Sequence, residues 1–284
     1  MLHAVFYPMS TSPLQPYLIK AHDLPPWYEP GRFILTGYRN PKHYTTFAAA
    51  AASALAWHNE TLNIHTHLFT GFAYLFALYY RVQQPYYLTA TPFVQYFIIL
   101  QCLGAATMGF ASAFAHTFYI INPSWYSFSW KVDCVGIVAV VYTHLLADHY
   151  LLFSIHTPAP ILFYTSMTAC TAAGALCLYI VFKVDGADVN TLGLYYAALG
   201  SIPYTAAVVW LSPSQDLAFQ KMAAGSAVCS ICCLIAGGIF FTGKIPERFI
   251  QSRWIDLGLR SHVWHHIFIS LSIYLGSLGI PYLR

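Results

Sequence analysis

His262 and His266 are four residues apart, so on a helix they lie about 40° apart and both imidazoles reach one ion on that face, while His265 points elsewhere. Ser112 and His116 repeat the same spacing. Three neutral imidazoles with an open fourth position are the ligand set of a catalytic zinc site; a closed structural site takes four protein ligands. Asp133 would add an acid beside them. This chemistry requires that the elements carrying His116, Asp133, His262 and His266 bring all four side chains to one depth.

The background against which these residues stand is lipid-like. Of 284 residues, 58% are hydrophobic and 8% are Asp, Glu, Lys or Arg, against about 25% charged in a typical globular protein. So few charges cannot cover a soluble domain of this length, which argues against soluble enzymes, disordered scaffolds and nucleic-acid partners. A net charge of +3 is too small to point to nucleic acid, and nothing resembles a phosphate loop or a serine-hydrolase elbow. The seven Cys fall in apolar stretches, which reads against a secreted disulfide framework. Within them, Cys229-x-x-Cys232-Cys233 reads as buried small hydrophobes rather than as a metal site.

Residues 1–40 hold six prolines and no uninterrupted apolar core, so no signal peptide is expected and the N-terminus stays on the side of synthesis. The Ala-rich stretch from Tyr44 to Trp57 is 14 residues long, short of the roughly 20 needed to span, and reads as a helix lying at the membrane face. Seven apolar segments follow, at about 64–82, 93–120, 132–154, 159–182, 190–211, 220–242 and 261–280. Helices are expected because open strand edges do not survive in hydrocarbon. The expected fold is all-α: a cytosolic N-terminal segment over 1–60 with its interfacial helix, then a seven-transmembrane helix bundle over 61–284.

An inside N-terminus places ten Lys and Arg inside and only Arg81, Lys221 and Arg284 outside, which sets the orientation. Segment 2 then ends inside with His116, segment 3 begins inside with Asp133 in its first turn, and segment 7 begins inside with His262 and His266. All four polar residues thus reach one depth. Burying them in an apolar bundle is costly, which makes a functional role the default.

Phe33-Ile34-Leu35-Thr36-Gly37-Tyr38-Arg39, Asn59-Glu60-Thr61-Leu62-Asn63-Ile64-His65-Thr66-His67, Ser112-Ala113-Phe114-Ala115-His116, Asp133-Cys134-Val135-Gly136-Ile137 and Ser261-His262-Val263-Trp264-His265-His266 occur in that order. Together these blocks resemble the signatures of the progestin and adipoQ receptor (PAQR), or hemolysin-III related, family. The resemblance implies a seven-helix receptor-like protein with a cytosolic N-terminus and an intramembrane zinc near the cytosolic side. It implies His116, His262 and His266 as zinc ligands and a water-mediated or supporting role for Asp133, with Ser112 nearby. It also implies receptors for hormones or lipids with a ceramidase-like activity. The polar run from Tyr142 to His149 matches none of its blocks.

With zinc held by three neutral imidazoles, the retained positive charge lowers the pKa of water toward about 7 and polarises a carbonyl. Asp133 is then the candidate to move a proton from water to a leaving amine, and Ser112 the candidate donor to an oxyanion. That reads as zinc-dependent hydrolysis of a lipid amide, the acyl chain held within the apolar bundle. Two other readings stay open. In one, a receptor or a zinc or sterol/lipid homeostasis protein uses zinc only to hold helices together. In the other, a metal or proton transporter uses His144, Asp148 and His149 in the outer half of segment 3, although His144 reads first as an interhelical hydrogen-bond partner. Glu60, His65 and His67 sit close in depth to the site; Glu60 reads first as a helix cap, with Arg39 as a possible ion-pair partner. Aromatic residues such as Trp27, Tyr28, Trp125 and Trp254 read as interface belts, and Gly104, Gly109 and Gly237-Gly238 as points of close helix packing.

Overall fold

The structure, a computed structural model, describes residues 17–150, 160–183 and 217–277. Segment 5 of the sequence reading, at 190–211, lies outside the described residues. Among the described residues the first elements are a two-stranded antiparallel pair, β1 (Leu18–Ile19) with β2 (Tyr38–Arg39), with Leu18 opposite Arg39. Among the described residues eight α-helices follow: α1 (Phe47–Ser53), α2 (Thr61–Arg81), α3 (Pro85–Leu88), α4 (Pro92–Phe118), α5 (Pro123–Tyr150), α6 (Pro160–Lys183), α7 (Leu217–Gly243) and α8 (Ser261–Ser277). A short π-helical stretch, Ile255–Leu259, precedes α8. Among the described residues, α4 and the Pro123–Ala147 part of α5 are long and apolar enough to cross a membrane by length and composition; α6 and α7 carry shorter apolar stretches, Met167–Lys183 and Val228–Gly243.

Two element boundaries differ from the sequence reading. α1 covers only seven residues. It ends at Ser53 because the next amides fold back onto carbonyls three residues earlier, Ala54 onto Ala51 and Leu55 onto Ala52, and because the His58 ring holds the Ser53 carbonyl at 3.1 Å. α5 begins at Pro123, not near residue 132. Asn122 accepts from the Trp125 amide at 2.9 Å while Pro123 supplies a preset first-turn φ, a combination that starts helices. Asp133 consequently lies in the third turn of α5, not the first, and Lys131 is a helix residue whose ammonium stands 5.7 Å from the Phe182 ring centre.

α2 and α4 approach so closely that backbone meets backbone. A Cβ on Gly109 would lie 2.6 Å from the Gly71 amide nitrogen and 2.7 Å from the His67 carbonyl oxygen, so only glycine fits. Hydroxyl pairs join α2 to α8, with Thr70 and Ser270 2.8 Å apart, and α7 to α8, with Ser230 and Ser272 3.0 Å apart. The N-terminal segment packs against the ends of α4 and α5 as an aromatic cluster around Tyr28, Tyr38, Tyr119 and Trp130. Gly37, at φ +84°, makes the left-handed turn that lets its carbonyl accept from the Asn59 amide at 2.8 Å.

Gly109→Ala should therefore wedge α2 from α4 and cost about 1–3 kcal/mol, read as a lowered thermal midpoint of the detergent-purified protein. Gly225→Ala, in α7 with nothing within 4 Å of its added Cβ, should leave the midpoint unchanged or raise stability by up to about 1 kcal/mol.

Candidate metal centre

The metal-binding candidates come from the last turn of α4 and the first two turns of α8. α8 starts where it does because the Glu247 carboxylate accepts from the Ser261 amide at 2.7 Å and from the Ser261 hydroxyl, filling the donors of the helix start with an anion. α4 ends under Arg39, which is fully buried. Its guanidinium donates to the His116 carbonyl at 2.6 Å, to the Thr117 carbonyl at 2.9 Å and to the Ser53 hydroxyl at 2.8 Å, satisfying acceptors that every helix leaves open at its C-terminus. Arg39 thus serves the backbone beneath His116, not Glu60.

His116, His262 and His266 form one group, each offering a ring nitrogen, with these nitrogens all within 4.8 Å of one another. Ring centres are 5.0 Å apart for His116 and His262, 5.2 Å for His116 and His266, and 4.5 Å for His262 and His266. His116 is fully buried and its Nε2 has no hydrogen-bond partner. An orphaned buried ring nitrogen facing two more imidazoles is costly unless something accepts its lone pair. The donor set therefore fits a metal ion, and neutral imidazoles suit zinc among the common divalent ions. His265 turns away and its Nδ1 donates to the Gly237 carbonyl at 3.1 Å.

Asp133 is buried on α5, with the Ser112 hydroxyl as a hydrogen-bonding neighbour and within electrostatic reach of His116. The acid and the hydroxyl thereby stand with His116, although α5 starts about two and a half turns earlier than the apolar pattern indicates. Such an arrangement can bind a metal, hold a water beside it and exchange a proton with that water.

Glu60 departs from the sequence reading. It stands at the start of α2 but makes no side-chain cap. Its Oε2 instead bonds His116 Nδ1 at 2.8 Å and accepts from Asn63 Nδ2 at 2.7 Å, and its Oε1 accepts from Arg260. Burial alone would raise this carboxyl, yet the Arg260 guanidinium and His116 outweigh it and hold it well below the usual carboxylate range. The sequence places Arg260 directly before Ser261-His262 and Glu60 in an Asn59-Glu60 block, but the two are 200 residues apart, and no local spacing pairs them. His67, which the sequence places close in depth to the site, is buried with its ring centre 3.8 Å from that of His266. His65 is exposed and bonds the Ala54 carbonyl at 2.8 Å.

His144 donates from Nδ1 to the Val140 carbonyl at 2.9 Å, within its own helix and not between helices. The one-turn spacing puts the carbonyl of the preceding turn within easy reach, which is why the intrahelical bond wins. The side chains of Asp148 and His149 lie outside the described residues. Cys229 and Cys232 are exposed and Cys233 half-buried on α7, so this run is not a set of buried small hydrophobes. Its residues pack on the outer surface of the helix bundle, where an apolar side chain faces lipid as comfortably as core.

The chain matches the family described as Haemolysin-III related over residues 55–275. It belongs to that family of membrane proteins, the progestin and adipoQ receptor group. It is 24% identical over 269 residues to heptahelical transmembrane protein 1 of Arabidopsis thaliana, covering 88% of this chain and 76% of that one. Membrane progestin receptor alpha of Cynoscion nebulosus is 34% identical over 143 residues, 50% of this chain and 39% of that protein. An uncharacterized protein of Schizosaccharomyces pombe is 25% identical over 262 residues, 87% of this chain, which spans 56% of that relative's length.

Arg260 and Glu60 are 8% and 5% exposed in their side chains, so removing one leaves the other as a buried unpaired charge. Arg260→Leu should cost about 3–5 kcal/mol in thermal or denaturant unfolding, and adding Glu60→Gln to it should recover much of that loss.

Proposed function

We propose that this chain is a seven-helix membrane receptor-like protein with a cytosolic N-terminus, that His116, His262 and His266 hold one zinc ion near the cytosolic side, and that the centre hydrolyses a lipid amide in the manner of a ceramidase. The observation that carries the reading is the unpartnered Nε2 of His116, buried against His262 and His266 with Asp133 and Ser112 beside it. The excess of Lys and Arg in the loops assigned to the inside supports the orientation. The name of the Cynoscion nebulosus relative, a membrane progestin receptor, supports a hormone-like or lipid ligand within the bundle.

When bound, zinc would polarise a carbonyl and lower the pKa of a water toward about 7. The chain's own residues supply the rest. His116, His262 and His266 bind as neutral rings from two helices, which keeps the positive charge at the centre undiminished. Asp133 takes a proton from the attacking water and returns it to the leaving amine. Ser112, lying next to Asp133, orients that carboxylate in the resting site and donates to the carbonyl oxygen as charge develops there. The apolar walls of α4 and α5 exclude bulk water and accommodate an acyl chain, so that only the amide and head group reach the polar end.

A receptor that uses zinc purely to tie α4 to α8 is the second reading, supported by the tie Glu60 already makes between those helix ends through His116 and Arg260. The two separate cleanly in one set of variants. Detergent-purified wild type should carry about one zinc per chain and His262→Ala should lose it, measured by elemental analysis. Asp133→Asn should keep zinc while ceramide turnover falls by about 100-fold or more. Undiminished turnover in Asp133→Asn would sink the hydrolytic reading and leave the receptor one.

A further inference from the structure

Three donors converge on Glu60. Arg260 donates to Oε1, Asn63 Nδ2 donates to Oε2 at 2.7 Å, and His116 Nδ1 lies 2.8 Å from the same Oε2. A guanidinium and an amide NH2 can only donate, so both Glu60 oxygens are acceptors in this arrangement. A neutral imidazole has one N–H, and against an accepting oxygen that N–H must be on Nδ1. The lone pair is then left on Nε2, the atom of His116 that is buried without a partner, on a ring whose centre lies 5.0 Å from that of His262 and 5.2 Å from that of His266.

We propose that Glu60 is the positioning residue of the metal centre: its carboxylate, clamped by Arg260 and Asn63, holds His116 as the Nδ1–H tautomer with Nε2 ready to accept a metal. The inference rests on reading the three histidines as the zinc site, and adds what makes one of them competent before any metal arrives. One carboxylate also registers the helices to each other, because Glu60 opens α2, His116 closes α4 and Arg260 immediately precedes α8. The helix bearing two ligands and the helix bearing the third are thus tied to a common pair of oxygens. Buried carboxylates that orient ligand histidines in this way raise metal affinity by about 10–100-fold.

Glu60→Gln gives a sharp test because the new amide has one acceptor and one donor. Arg260 cannot accept, so the amide oxygen turns toward it and the NH2 takes the place of Oε2. Asn63 can follow by rotating its amide, presenting the Oδ1 that otherwise has no partner. His116 cannot meet an NH2 with an N–H, so its proton moves to Nε2, which closes the ligand position while leaving the side chain in place.

The full-length protein, labelled with 15N-histidine, purified in detergent and freed of metal with a chelator, reports this directly. The His116 ring, assigned by the loss of its signals in His116→Gln, should show the Nδ1–H tautomer in wild type and the Nε2–H tautomer in Glu60→Gln. Zinc added back should then bind about 10–100-fold more weakly to Glu60→Gln than to wild type, and the visible spectrum of the cobalt(II)-substituted variant should differ. An Nε2–H tautomer in wild type overturns the proposal without any variant, so it remains testable if Glu60→Gln does not fold. Equal zinc affinity and equal cobalt spectra in a folded Glu60→Gln overturn it as well. If wild type binds no zinc yet Glu60→Gln inverts the tautomer, the zinc reading fails while the Glu60 assignment stands.

Discussion

The carboxylate of Glu60 and the guanidinium of Arg260 are charged groups taken out of water, and the end of the bundle where α2 and α8 start is organised around keeping them paired. Separating two such charges inside a low-dielectric core is far more expensive than leaving them unformed would be in solvent. The pair therefore constrains every element attached to it. α2 starts where Glu60 can reach Arg260, α8 starts one residue after Arg260, and α4 ends within reach of Glu60 through His116. The end of α4 and the start of α8 have partners of their own in Arg39 and Glu247, yet only the common meeting point explains why the three ends are level.

Arg39 repeats the theme from the N-terminal side. It holds two carbonyls at the end of α4 and stacks its guanidinium 5.3 Å from the Tyr119 ring centre. The short β-pair and the aromatic cluster that carry it form an apolar core of their own against the end of α4 and the start of α5. The backbone beneath His116 is thereby fixed by a segment before the helices, while its ring is fixed by a residue at the start of α2.

Much of this was open to sequence reasoning, and the part that was not has a plain physical cause. Apolar runs and the spacing of Ser112 with His116 and of His262 with His266 are local, and local periodicity survives folding unchanged. The start of α5 is less legible because 123–131 mixes Trp, Tyr, Ser and Lys, so the apolar pattern hides a helix that Asn122 and Pro123 nevertheless begin. The role of Glu60 is not legible locally: a carboxylate at a helix start looks like a cap, and only the fold brings Arg260 and His116 to its oxygens. His144 is the reverse case: its carbonyl partner lies one turn back in its own helix and not on a neighbour, so a local bond took the place of the interhelical one expected.

The contact at Gly109 has a mechanical consequence. Where backbone rests on backbone, there is no layer of side chains to change rotamer, so α2 and α4 cannot slide past each other without breaking van der Waals contact outright. Along α2 and α8 the joint is made of hydroxyls, Thr66 toward His266 and Thr70 toward Ser270, and a hydroxyl can trade one acceptor for another by rotating about a single bond. The molecule thus has one seam that behaves as a weld and, on the adjacent face of the same helix, one that behaves as a latch.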